Sequence, residues 1–457
     1  MNVILPSRAR ARTARPLLAA LLLLPAAAGA QQLAPQRLSL GDAVRMAARQ
    51  SALVASATLQ TAAARARVDQ QRSSLLPNFS ASALESGHTV NSATFGFNFP
   101  TAPGQPPLLD PLGQVIGPVT TLDLRGRISQ TLFDAGAFEH YRAAQASASA
   151  VRVNESAAAE QAATQAAMAY LQALRADAQL SARLADSSLA VDLLGIARDQ
   201  LSAGVGVALD VTRAESQLVG VRAQLISARN DQARSRLNLA RAVNLSLDTP
   251  LVLTDSLGSL PDVPDAADPQ AAVEAALRAR PDIRALEQQL AAERLQVRAI
   301  QSERLPTVAA FGDDGTIGMR LSHMLATYTW GIQLSVPIFD GMRRDSRVSE
   351  QQANMRDLEV RERDLRQQVM VDVRSAVLDL SSARQVVDAT RERLRLAEQE
   401  VAQARDRFRA GVAGNADVIT ASLSLNAART QLIDAETSYQ AARVALARAE
   451  GRTTSIQ

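Results

Sequence analysis

Two hydrophobic periods alternate along the chain. From Leu38 to Ser74 alanines and aliphatic residues recur every three or four positions, with no glycine or proline after Gly41. That spacing predicts one helix. It must stop at Leu76-Pro77, because proline has no N–H and pushes its predecessor toward extended backbone. The period then changes to two. Leu122, Leu124, Ile128 and Leu132 fall on one face of a strand, and Asp123, Arg125, Arg127, Ser129 and Thr131 on the other. After Phe133-Asp134-Ala135-Gly136 the helical period resumes over residues 137–203, with Gly195 the single interior glycine and no proline. Ala203-Gly204-Val205 interrupts it, and a return helix follows over residues 210–243.

The same order is then repeated. Residues 270–305 read as a helix that ends at Leu305-Pro306, 229 positions after Leu76-Pro77, with Pro281 in its first turns as a kink or a late start. Tyr328, Trp330, Ile332, Leu334 and Val336 alternate on one strand face. Ile338-Phe339-Asp340-Gly341 leads into a second long helical run over residues 342–410. Ala410-Gly411-Val412 breaks it, and the chain returns over residues 417–449. Residues 197–244 laid on residues 404–451 give 20 identities in 48 positions without a gap. This is an internal duplication. The turn glycines Gly204 and Gly411 are expected to supply left-handed stops, Asn415 to cap the helix after the second turn, and Asp134 and Asp340 to cap the two long helices.

The expected organisation is a leader over residues 1–30, a first repeat over 31–244, a linker over 245–269 with a short strand at Leu251–Leu253, a second repeat over 270–451, and a polar tail over 452–457. Residues 85–119 and 312–327 are expected to loop between paired strands. A further alternating run, Phe95, Phe97 and Phe99, adds to the strands. Nine of the fourteen aromatic residues lie between Phe79 and Phe133 or between Phe311 and Phe339. Alternating segments with clustered aromatics are what a membrane-spanning barrel requires, with apolar side chains on lipid and polar ones on the lumen. The plainer reading is a sheet packed on one face. Phe95, Phe97, Phe99, Tyr328 and Trp330 are the candidate membrane-interface aromatics. Four strands cannot close such a barrel, and an open edge in hydrocarbon leaves backbone groups unpaired. Each chain is therefore expected to give its strands to a barrel shared between subunits, a trimer with twelve strands being the smallest comfortable cyclic solution. Either long helix would reach ~100 Å at 1.5 Å per residue, a length that needs lateral, coiled-coil-like packing.

Charge and composition narrow the function. Arg8, Arg10, Arg12 and Arg15, the apolar run Pro16 to Ala28, and Ala28-Gly29-Ala30 have the form of a secretory signal peptide. Its removal takes four arginines and no acid, so the formal charge falls from +3 to −1, and no basic tract remains for nucleic acid. Every basic residue is arginine. The absence of cysteine excludes disulfides, thiolate metal sites, thiol catalysis and a lipid anchor on a mature cysteine. His88, His140 and His323 have no metal-ligand spacing. Gly204-Val205-Gly206 follows no strand and lacks the third glycine of a dinucleotide loop. No nucleophile–base or carboxylate pair points to catalysis, and no cofactor is expected.

The doubled order of helix, Leu-Pro, strand, loop, strand, Phe-Asp, long helix, Ala-Gly turn and return helix resembles the TolC-like outer-membrane efflux and secretion channels, over about Leu38 to Gly451. The resemblance implies a mainly α protein with a small β part. Its duplicated long hairpins would build a trimeric α-barrel across the periplasm, and four strands per chain a shared 12-stranded transmembrane β-barrel. It further implies an exit duct in the outer membrane that works with a periplasmic adaptor (a membrane fusion protein) and an inner-membrane pump, exporting drugs, small molecules or proteins. By the same resemblance Asp417, and its repeat mate Asp210, lie at the periplasmic aperture, where three copies of an acid would form a ring. The plain reading of both is a first-turn acid favoured by the helix dipole. Thr420 stands where family members can carry a second acid, and Phe408 and Ala413 stand where some carry latching polar residues. The tips Ala203, Gly204, Val205, Ala410, Gly411 and Val412 are the implied adaptor-docking sites. A periplasmic coiled-coil scaffold or adaptor is the competing reading, against which the alternating strands and full duplication count.

Overall fold

The computed structural model describes residues 35–95, 112–259, 269–412 and 414–456. The expected leader, Phe97, Phe99, Ala413 and residues 260–268 of the linker lie outside them. In chain order the first repeat contains β1 (Gln36–Leu38), α1 (Leu40–Gln50), α2 (Ala52–Ser73), β2 (Asn78–Asn91), β3 (Val115–Phe133), α3 (Ala135–Ser202) and α4 (Ala208–Ala242). After β4 (Leu251–Leu253) the second contains α5 (Pro269–Ala279), α6 (Pro281–Ser302), β5 (Thr307–Gly318), β6 (Leu325–Ser335), α7 (Arg343–Arg409) and α8 (Asn415–Ala449).

The opening helix is two helices, parted at Ser51. That residue is extended, and its hydroxyl accepts the Val54 N–H. A serine that satisfies a first-turn amide can start a helix as well as sit inside one, which the alanine-rich period concealed. The repeat-equivalent position is Arg280, where Pro281 begins α6. The two repeats break at the same place by different chemistry. Equivalent core positions stay equivalent: Val44, Ala47, Val273 and Ala276 are each no more than 1% exposed.

The strands form one antiparallel sheet in the order β2-β3-β5-β6. Across it Phe79, Ile128, Gly312 and Trp330 stand in one row and share a face, while Ser80, Arg127, Asp313 and Thr329 share the opposite one. The expected loop over residues 312–327 is mostly strand. Gly312-Asp313-Asp314-Gly315 reads as a turn locally, but β3 overrides it. Arg125 takes the Asp313 carboxylate, and a Cβ at Gly315 would run into the Leu124 carbonyl oxygen. The other loop is shorter than expected as well, since β2 continues to Asn91 and β3 begins at Val115. Phe95 is not in a strand; it ends a short 3-10 turn over Ser92–Phe95, whose first amide donates to Gln114.

α3 and α7 run for 68 and 67 residues, or ~100 Å each. Their strand-proximal parts lie in a layer ordered α2-α3-α6-α7, and their distal parts in a layer ordered α4-α3-α8-α7. Alanines such as Ala162, Ala163, Ala166 and Ala167, at most 2% exposed, let α3 approach its neighbours closely. Around the middle, β1 pairs in parallel with β4, and the Tyr170 hydroxyl donates to Asp255 at 2.9 Å. The expected polar tail is docked there. Thr453 is fully buried, and its amide donates to the Glu160 carboxylate at 2.8 Å. Among the described residues no helix is long and apolar enough to cross a membrane.

Candidate functional site at the hairpin tips

Both long helices end in the same hydrogen-bond pattern. The Val205 amide donates to Gln200 at 3.0 Å and the Gly204 amide to Leu201 at 3.1 Å; Val412 donates to Arg407 at 3.1 Å and Gly411 to Phe408 at 3.0 Å. This closure needs a left-handed residue after the cap, and Gly204 (φ 75) and Gly411 (φ 74) supply it. Ala203, Gly204, Val205, Ala410, Gly411 and Val412 are all exposed, Val205 to 80% and Val412 to 69%. Apolar side chains left in water at the far end of a ~100 Å hairpin form a surface suited to a partner.

The two tips of one chain are tied together. Asn415 is fully buried, and its Nδ2 donates to the Asp210 carbonyl at 2.8 Å. Gln200 Nε2 donates to the Phe408 carbonyl at 2.8 Å. Asn415 therefore does not cap α8; Gly414 holds the capping position and makes no side-chain bond to the helix. The expectation failed because tertiary burial claimed the side chain first. Phe408 is 2% exposed and packs with Leu194, Ala197, Leu218 and Val418 beneath the tips. Its place was legible in the seven-residue step from Val401, which is buried too. Nothing in the sequence marked Gln200 or the buried role of Asn415, whose repeat mate is the exposed Ala208.

The two candidate acids differ in setting. Asp210 is half-buried in the first turn of α4, 3.8 Å from Arg213. Asp417 is exposed in the first turn of α8 and has no ion-pair partner among the described residues. Farther up the seam between α3 and α8, the Asp186 carboxylate, 1% exposed, takes Arg183 at 3.1 Å and Arg429 at 2.7 Å. At the strand-proximal joint, Asp134 caps α3 by accepting the Ala137 amide at 2.8 Å. Asp340 reaches the Arg344 amide at 3.1 Å from outside α7. Between these caps Glu303 joins His140 at 2.8 Å and Arg347 at 2.7 Å. Burial pushes the Glu303 carboxyl up, but the His140 and Arg347 bonds outweigh it and hold it below the usual carboxylate range. Tyr328 and Trp330, at 75% and 76% exposure, stand on the apolar sheet face. Among the described residues no group of His, Asp or Glu could hold a metal ion.

The comparisons agree with this architecture. Residues 43–245 and 272–452 match the outer membrane efflux protein family. Among curated relatives, the outer membrane efflux protein BepC of Brucella suis is 25% identical over 264 residues, 57% of this chain and 57% of its own. Protein CyaE of Bordetella pertussis is 27% identical over 307 residues, 65% of this chain and 64% of its own. The matches thus span less than two thirds of these relatives' length. The crystal structure of the outer membrane protein VceC from Vibrio cholerae superposes with a TM-score of 0.71 at 18% identity, over 90% of this chain and 96% of that one. From the duplicated hairpins to the paired strands, the chain belongs to the outer membrane efflux protein family.

Proposed function

We propose that this chain is the outer-membrane exit duct of a tripartite export system and works as a homotrimer. The observation that carries the reading is the sheet itself. Among the described residues it has four strands, a mostly apolar exposed face, and both outer strands, β2 and β6, without a partner on their far sides. In lipid such edges must be paired, and cyclic repetition of the chain does so by setting β2 of one copy beside β6 of the next. Three copies give twelve strands. The distal helical layer supports the same closure, because α4 and α7 are its free flanks. α4 exposes Val219 and Ile226 seven residues apart. A seven-residue apolar step is the seam of a coiled coil, so this flank of α4 is suited to a helix of a neighbouring copy.

In this reading the twelve-stranded barrel sits in the outer membrane, and the tips point into the periplasm. Ala203, Gly204, Val205, Ala410, Gly411 and Val412 receive the hairpin of an adaptor linked to an inner-membrane pump. Asp417, exposed and unpaired, is the acid of the aperture ring, and Asp210, half-covered beside Arg213, serves its helix start. Cell fractionation tests the assembly. The protein should appear in outer membranes as a trimer whose mobility shifts on heating, and recovery as a soluble periplasmic monomer refutes the duct. Asp417→Ala should lower cation preference in planar bilayers, whereas unchanged selectivity assigns Asp417 to helix capping.

A further inference from the structure

The polar face of the sheet holds a group that neither the gate nor the docking surface uses. Arg125 is engaged twice, by Asp123 at 3.3 Å on its own strand and by Asp313 on β5. Arg127 lies two residues along on the same face, is exposed, and makes no ion pair among the described residues. Its row contains Ser80, Asp313 and Thr329. The Asp313 side chain is only 7% exposed and already given to Arg125, so the guanidinium of Arg127 keeps its donors for water or for cargo. Two rows nearer the helices, and so on the same face, Phe311 stands directly opposite Gly331. A Cβ at Gly331 would fall 2.9 Å from Phe311 Cζ and 3.1 Å from Cε1. The ring is thus pressed across β6 with one face on the strand, which glycine alone permits, and the other toward the lumen.

Arg127 and Phe311 are diagonal neighbours, about 7–8 Å apart at the backbone and within reach of one ligand. A guanidinium fork free to bind an oxyanion, a hydroxyl directly across from it at Ser80, and a flat aromatic surface are the parts that recognise a planar organic anion. We propose that Arg127 and Phe311 form a cargo subsite inside the outer-membrane barrel, one per chain. It takes molecules with a negative group on a flat apolar body, and its sign is opposite to that of the acid at the tips. The subsite rests on the closed-barrel reading above.

The test is calorimetric titration of the purified trimer with 2-naphthalenesulfonate, with methanesulfonate as the anion that lacks the flat body. The expected result is saturable binding, weakened about tenfold by Arg127→Gln, as loss of a charge-assisted pair implies. Arg127→Lys should recover part of it, because charge remains and the fork does not. Phe311→Leu should weaken 2-naphthalenesulfonate and leave methanesulfonate unchanged. A trimer that binds nothing, or binds equally well as Arg127→Gln, overturns the subsite while leaving the barrel intact. Failure of the unmodified chain to form a trimer in outer membranes overturns the barrel reading instead.

Discussion

If the tips form the gate, opening that moves the second hairpin away from the first must break the two bonds between them. The perturbation is the double variant Gln200→Ala, Asn415→Ala, which removes the bonds to the Phe408 and Asp210 carbonyls, each 2.8 Å long. A typical internal hydrogen bond contributes about 1 kcal/mol net, so the pair holds each chain's tips with about 2 kcal/mol. That is roughly 30-fold in the closed-to-open ratio of one chain. If three chains open together the effect is about 6 kcal/mol, or roughly four powers of ten. The bonds are better probes than Phe408, whose truncation would remove core packing worth about 3–5 kcal/mol and confuse gating with folding. Open probability in planar bilayers is the assay, with retention of the trimer on unheated gels as the folding control. A folded double variant with an unchanged open fraction refutes the reasoning and shows that both tips of a chain move as one body. Asn415→Leu is a useful companion. The Asn415 Oδ1 is buried without a partner among the described residues, so leucine removes a cost of about 1–3 kcal/mol along with the bond, and stability should hold while the coupling is lost.

Other outcomes can be checked directly. Gly411→Ala should lower unfolding stability by about 1–2 kcal/mol, the cost of placing an L side chain in the left-handed region, since a Cβ there meets nothing within 4 Å. Asp186→Ala should cost about 3–5 kcal/mol in thermal unfolding, because it strands two half-buried arginines in the α3–α8 seam. Glu303 is held below its unfolded range, so its share of stability is present above about pH 4.3 and lost as the pH falls further. Chemical unfolding of Glu303→Gln from pH 7 to 3 should therefore show a shallower acid decline than the unmodified chain, and parallel curves would contradict the assignment.

The long helices, their glycine stops and the central strand pair were legible because one physical signal dominated each. Uninterrupted three–four periodicity, a left-handed turn after Ala203 and Ala410, and a period of two from Leu122 to Leu132 have few competing solutions. Legibility failed where long-range contacts outvoted local preference. Gly312-Asp313-Asp314-Gly315 carries turn chemistry, yet pairing with β3 holds it as strand. Asn415 is a good cap by type, yet it is buried against Asp210. Ser51 divides a helix that its alanine-rich neighbours would have continued. Of the candidate site, the exposed tip residues could be found from the turns alone. The bonds joining one tip to the other could not, since each spans more than two hundred residues between repeats that no longer match at those positions.

The sides of β2 and β6 that have no partner among the described residues bear on how the proposed barrel would reach its site. A single copy cannot enter hydrocarbon part-way, because each edge carries a row of backbone donors and acceptors into a medium that cannot satisfy them. For a three-copy barrel, assembly and membrane insertion are then one event, and its yield rises with the third power of chain concentration while chains are scarce. Below a threshold of synthesis, exported chains would wait as single copies with two sticky margins, open to proteolysis and to wrong pairing. If the chain closes into the proposed trimeric duct, its supply becomes a switch-like function of expression, set by the two open margins of the sheet.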